Sequence, residues 1–218
     1  MVYIEHTSRL RTFMRILFAY LLGTIFHPIT TFGKLLADRQ RLRYAWSAIL
    51  LISVGYALVD AALFVAGHAP NPEPFLRIPT EQYYFWLQFM SLALYMTCWI
   101  LASASMHLLS KVFHGQGSFE DTLAVVGLAT AAATLSTLIP DLITSFLGVT
   151  GIVEQKVLDQ FLWGTAYQWF YLGLYTLLFV VLYPLAVKAV QKIQVWQAVL
   201  VGVFGIFVYT SILFLFNR

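Results

Sequence analysis

Five stretches of this chain, at about residues 46–66, 83–109, 122–147, 163–187 and 195–216, are each apolar over the roughly 20 residues that an α-helix needs to cross a bilayer. No other feature restricts the fold so strongly. Outer-membrane strands would alternate polar and apolar residues over only about ten positions, and these runs do not. The expected class is all-α, a polytopic membrane protein. Composition agrees: of 218 residues 60% are hydrophobic and only 11% charged, with mean hydropathy +0.78, where a soluble domain carries about a quarter charged residues. Cys98 is the single cysteine, so one chain alone has no intrachain disulfide, no Cys-based zinc site and no iron–sulfur cluster. Neither a cofactor nor a confident metal site is expected.

An odd number of spans puts the termini on opposite sides. Of the 13 basic residues, ten fall on the side of the N-terminus: Arg9, Arg11, Arg15, Lys34, Arg39, Arg41, Arg43, Lys111, Lys188 and Lys192. Arg77, Lys156 and Arg218 fall on the other. By the positive-inside rule the N-terminus is cytoplasmic and the C-terminus outside. The basic excess therefore sets orientation, and nucleic acid is not an expected partner.

The chain divides into a cytoplasmic segment, residues 1–45, and a five-helix membrane domain, residues 46–218. Residues 10–26, LRTFMRILFAYLLGTIF, are apolar on most faces but short and basic at the start, and Pro28 ends a helix at His27. They predict an interfacial helix lying along the cytoplasmic leaflet, the alternative being a hydrophobic tail packed on the bundle. No cleavable signal peptide is expected in front of it. Arg9, Arg11 and Arg15, with Arg39, Arg41 and Arg43 of a basic collar before the first span, point to anionic phospholipid headgroups as partners. Four of the seven prolines lie in GHAPNPEPFLRIPTEQ after the first span, which predicts an ordered loop or cap there. The third span is rich in Ala, Gly, Ser and Thr, which lets backbones approach, so it should be central. Pro140 interrupts its outer part.

Ionisable groups at membrane depth are expensive and count as functional candidates. Asp60 lies about 24 Å along a helix from Tyr44, and Asp141 about 30 Å from Asp121, so both belong to the outer half. With Glu81 at the start of the second span and His68 after the first, they suggest an outer vestibule for a cation or protonatable substrate. The bland alternative has each carboxylate hydrated or capping a helix. On the cytoplasmic side His107, His114, Glu120 and Asp121 read better as isolated interfacial groups than as a metal site. In KVFHGQGSFED, Ser118 fits an N-cap with Asp121 three residues on. The turn lacks the Gly-Lys-Ser/Thr ending of a phosphate loop. No nucleophile elbow or intramembrane-protease motif is present, and no catalytic residue is assigned.

The order HPITTFGKLLADRQRLRYAW, IPTEQYYFW, HLLSKVFHGQGSFEDTLAVVGLA and LIPDL, covering about residues 24–216, resembles the prokaryotic branch of the Yip domain family. The resemblance implies a five-span protein with a cytoplasmic N-terminal segment, in the cytoplasmic (inner) membrane of a prokaryote. It marks His107, Gly115, Gly117, Ser118 and Phe119, with Pro140 and Asp141, as pattern residues without assigning their roles. Eukaryotic members are linked to Rab-type GTPases and vesicle traffic; a long polar N-terminal domain like theirs is not expected here. Two functions are expected from these readings. One is a non-enzymatic membrane-organising or partner-binding scaffold, self-associating as a homo-oligomer. The other is a small transporter, channel or ion-binding protein using Asp60, Glu81 and Asp141, with Gln88 and Tyr95 facing inward.

Overall fold

The computed structural model describes residues 2–68, 78–153 and 164–217. It is all-helical, 88% helix, with no strand among the described residues. The helices are α1 (Val2–Phe26), α2 (Pro28–Ala37), α3 (Arg41–Val65), α4 (Tyr83–Val112) entered through a 3-10 turn at Thr80–Gln82, α5 (Phe119–Val149), α6 (Thr165–Gln191) and α7 (Val195–Asn217). Five segments are long and apolar enough to cross a membrane: Arg41–Val65, Thr80–Val112, Phe119–Val149, Thr165–Gln191 and Val195–Leu215. They correspond one to one with the spans expected from sequence. Most of the Pro-rich segment after the first span falls outside the described residues.

Around the bundle α3 packs on α4, α4 on α7, α7 on α6, α6 on α5, and α5 back on α3, while α5 also reaches α4. The small residues of α5 put it at the centre, as expected. In its apolar 18-residue window 78% of the residues are buried, against 28 to 39% in the corresponding windows of the other four. Ala124, Ala129, Ala131, Ala132 and Ala133 are all fully buried, so neighbouring helices come close to this backbone. At Gly127 the approach is tight: a Cβ would sit 2.6 Å from Nε1 of Trp99, whose indole donates to the Leu123 carbonyl at 2.9 Å.

The N-terminal third departs from the sequence expectation in three ways. α1 begins at Val2 rather than near residue 10. A second helix, α2, stands between the expected N-terminal helix and the basic collar, where no element was expected. Pro28 ends α1 but also opens α2 at a first-turn position, where its fixed φ suits a helix and its missing N–H costs nothing. Thr31, Phe32 and Leu35 then form one buried face. The first span, finally, starts at Arg41 rather than 46, so Arg41 and Arg43 belong to the first turn of α3. α1 packs on α5, α2 and α3, and α2 on α6 and α5. Leu17, Leu21 and Thr24 are buried against them, while Phe18, Leu22 and Phe26 are exposed. α1 thus packs on the bundle with one side and leaves an apolar side exposed.

Candidate functional site

Polar side chains gather at two places, one at each end of the bundle. The first is the end carrying the N-terminal helices, where the α4–α5 turn meets the last turn of α6. Gln116 N–H donates to the Gln191 carbonyl at 3.0 Å, and Gly117 N–H to Gln191 Oε1 at 3.1 Å. The other end of the same carboxamide, Nε2, donates to Thr122 Oγ1 at 2.8 Å and faces His107 Nδ1 at 3.3 Å. Gln191 is wholly buried, so these partners satisfy a group that would otherwise cost a few kcal/mol to desolvate. Lys111 Nζ closes the turn from outside, donating to the carbonyls of Gly115 and Gly117, both at 2.9 Å.

Here the pattern residues acquire physical roles. A Cβ at Gly115 would lie 2.6 Å from Gln191 Oε1 and 2.9 Å from the Ser110 carbonyl oxygen, and one at Gly117 2.6 Å from the Val190 carbonyl oxygen. Both glycines are therefore required by close approach, and the positive φ of the turn falls on His114 instead (φ 59). Ser118 is the N-cap of α5, accepting from Asp121 N–H at 3.0 Å. Phe119 packs edge-on against His107, ring centroids 5.6 Å apart.

Arg41 binds this α5 terminus, with Nε 2.7 Å from Asp121 Oδ1 and Nη2 3.0 Å from Glu120 Oε1. Of the basic residues expected at the membrane surface, Arg41 has its guanidinium paired with two carboxylates, which already favour a helix N-terminus. Arg43 lies over the Phe13 ring, 4.6 Å from its centroid. Arg11, Arg15 and Arg39 are exposed; the side chain of Arg9 lies outside the described residues. Tyr20, between α1 and the collar, donates to Asp38 Oδ2 at 3.1 Å. Burial and then that carboxylate push its hydroxyl up to about 12.

The second centre lies at the opposite end. Asp60 is buried, 6% exposed, and accepts from Ser91 Oγ of α4 at 2.8 Å. Ser91 has one proton, and the Leu87 carbonyl lies 2.9 Å from the same oxygen, so Asp60 holds only a shared donor. Asp141 Oδ2 accepts from Tyr171 of α6 at 2.7 Å and from Tyr56 of α3 at 3.4 Å. Tyr56 also lies 2.8 Å from Thr137 Oγ1 and stacks on Tyr95 at 5.1 Å. Among the described residues both ion pairs belong to Arg41, so the two aspartates are met by hydroxyls alone.

The four-residue vestibule does not assemble as a cation site. Glu81 is exposed in the 3-10 turn and His68 sits beyond α3, and among the described residues no three His, Cys, Asp or Glu side chains converge on one point. Glu81 precedes its helix and is exposed, whereas Asp60 and Asp141 lie within α3 and α5 and bond to neighbouring helices. Gln88, expected to face inward, folds back on the Phe85 carbonyl at 2.9 Å, while Tyr95 is buried. Sequence reasoning missed Gln191, Thr122, Ser91, Tyr56 and Tyr171. In apolar helices such residues carry no local pattern that separates a network member from a snorkelling or self-bonded one.

The match to known families covers nearly all of this architecture: the Yip1 domain matches residues 22–216. The chain belongs to the Yip1 domain family. It is a multi-pass membrane protein of that family. No curated protein and no solved structure matches it. The Yip1 domain begins at residue 22, so it takes in the end of α1, all of α2 and every span, including both polar centres.

Proposed function

We propose that this Yip1 domain protein is a non-enzymatic, membrane-organising protein of a prokaryotic cytoplasmic membrane, with its N-terminus cytoplasmic and Arg218 outside. Its N-terminal helices would occupy the headgroup–acyl boundary of the inner leaflet. The observation that carries this reading is the two-sided apolar character of α1. Leu17 and Leu21 are 2% and 1% exposed against the bundle, while Leu22 and Phe26 on the outer side are 55% and 70% exposed. A helix that is apolar both toward the protein and away from it belongs in hydrocarbon. The exposed Arg11, Arg15, Lys34 and Arg39 supply the charge that draws anionic headgroups, each worth about 1 kcal/mol near such a surface. Volume added to one leaflet alone favours a bent bilayer, and lipids are its first partners.

The test keeps the core intact. Deleting residues 1–26 would strip Leu17, Leu21 and Thr24 from the packed interior, so the informative variant is Phe18→Ser, Leu22→Ser and Phe26→Ser together. Purified protein is reconstituted into phosphatidylethanolamine–phosphatidylglycerol vesicles at fixed protein-to-lipid ratio and imaged by electron cryomicroscopy. Wild type should shift the vesicles toward smaller or tubular forms and the triple variant should not, with unchanged melting temperature in detergent. Equal vesicle populations for the two proteins would sink the reading.

A second reading, an ion- or proton-binding protein, is favoured by the hydroxyl groups that, among the described residues, meet Asp60 and Asp141. Thermal unfolding against monovalent and divalent cations, for wild type, Asp60→Asn and Asp141→Asn, tests it. A bound cation stabilises by about 2.7 kcal/mol at a hundred times its dissociation constant. The reading requires a cation-specific rise in melting temperature that both variants lose.

A further inference from the structure

The polarity of the clasp at the α4–α5 turn is forced from one end. Gly117 N–H can only donate, so the carboxamide of Gln191 must turn Oε1 toward it and Nε2 toward Thr122 and His107. Thr122 has already given its single proton to the Ser118 carbonyl at 2.8 Å, and therefore receives one N–H of Gln191. The second N–H of Nε2 faces His107 Nδ1 at 3.3 Å. That nitrogen is an acceptor only in the neutral imidazole carrying its hydrogen on Nε2. Nδ1 also lies 3.4 Å from Thr122 Oγ1, whose second lone pair can accept from a protonated ring, but the Nε2 N–H of Gln191 then still loses its acceptor.

We propose that His107 is the release catch of the clasp: a proton taken up at Nδ1 sets N–H against N–H, turns Gln191 away, and frees the α4–α5 turn from the end of α6. The ring is half-buried rather than sealed, so protons reach it. Gln191 has no alternative arrangement that keeps all its partners, because rotating the amide to offer Oε1 to the imidazolium would aim Nε2 at the Gly117 N–H. The turn would then retain the Gln116 N–H bond to the Gln191 carbonyl and the outer Lys111 bonds to Gly115 and Gly117. It would lose the buried link that joins α4, α5 and α6.

The surrounding charges leave the imidazole as the responsive group. Lys111 on its own helix acts on the ring directly. From α5 come Glu120 and Asp121, both held by Arg41 of α3. From α6 comes Lys188, in the last turn before Gln191. The carboxylates are committed to Arg41. Acid thus opens the clasp, a regulatory behaviour independent of the leaflet-occupying role of α1.

The experiment reads the gap across the clasp. Spin labels on cysteines at Gln116 and Lys188, both exposed, are introduced in a Cys98→Ala background and the protein is placed in nanodiscs. Inter-label distances are measured at about pH 8 and about pH 5, either side of the ordinary imidazole range. Wild type should give a narrow distribution at the higher pH and a broader, longer one at the lower. His107→Asn, which keeps an acceptor oxygen near the position of Nδ1 but does not titrate, should stay narrow at both. Gln191→Glu, whose carboxylate accepts from both the Gly117 N–H and an imidazolium, should no longer broaden in acid, and it serves if the first variant fails to fold. Identical wild-type distributions at the two pH values, or acid broadening that persists in His107→Asn or in Gln191→Glu, would overturn the proposal.

Discussion

Gly117 lies so close to Val190 that a Cβ on it would sit 2.6 Å from the Val190 carbonyl oxygen. That atom belongs to the backbone of α6 and cannot swing aside like the end of a side chain. The turn and the helix are in effect one surface, held by Gln191 from within.

Gly117→Ala is therefore expected to destabilise the protein by about 1–3 kcal/mol, the usual cost of overpacking a tight contact. Gly173→Ala, at a position where a Cβ meets nothing within 4 Å, should be neutral or slightly stabilising, since alanine favours a helix by about 1 kcal/mol over glycine. Melting temperatures of the two variants in detergent, measured side by side, check the pair; equal loss in both would refute the close-approach argument.

Arg41 joins α3 to α5 through Glu120 and Asp121, and its side chain is 24% exposed against 53% and 28% for the two acids. Solvent screens such pairs, so Arg41→Gln should cost no more than about 1 kcal/mol. The loss should shrink as ionic strength rises, since added salt weakens exposed pairs. A melting-temperature difference unchanged between low and high salt would show that packing, and not charge, is what Arg41 contributes.

Tyr171 and Asp141 are coupled by a 2.7 Å hydrogen bond between α6 and α5. Tyr171→Phe should destabilise by about 1.5–3 kcal/mol, the range for a bond to an ionisable partner. In the Asp141→Leu background, where the acceptor is gone, it should cost much less. Additive effects in this double-mutant cycle would show that the two side chains are neighbours without an energetic link.

Alkali should reach the N-terminal helices through Tyr20. Burial and the Asp38 carboxylate raise its hydroxyl from 10.0 to about 12, so its contribution to stability is complete below pH 10 and is lost as the pH climbs through the folded value. Tyr20→Phe cannot ionise. Between these two pH values wild type should therefore lose more melting temperature than Tyr20→Phe does, and parallel curves would count against this linkage.

How much of this was legible beforehand depends on the range of the interaction involved. Five spans follow from runs of apolar residues because crossing hydrocarbon is a local demand, met residue by residue as backbone hydrogen bonds close within each helix. The central place of α5 was readable for a similar reason: Ala, Gly and Thr at close spacing allow approach wherever the partners come from. The N-cap at Ser118 needs only the next three residues. α2 was missed because Pro28 was read as the end of one helix, although it is equally suited to the start of another. Which of the two applies depends on whether Phe32 and Leu35 find a surface to bury against.

What sequence alone determined, then, is the number of membrane spans, their approximate bounds, the family pattern and the identity of the costly polar residues. Tertiary structure decided their partners. Arg41 is separated from Glu120 and Asp121 by about eighty residues, Gln191 from Gly117 by 74, and Tyr56 from Asp141 by 85. Hydrogen bonds and ion pairs reach only about 3 Å, so each exists or not according to the rotation of two helices about their own axes. That rotation is set by the summed packing of all the others, and no segment of the sequence carries it.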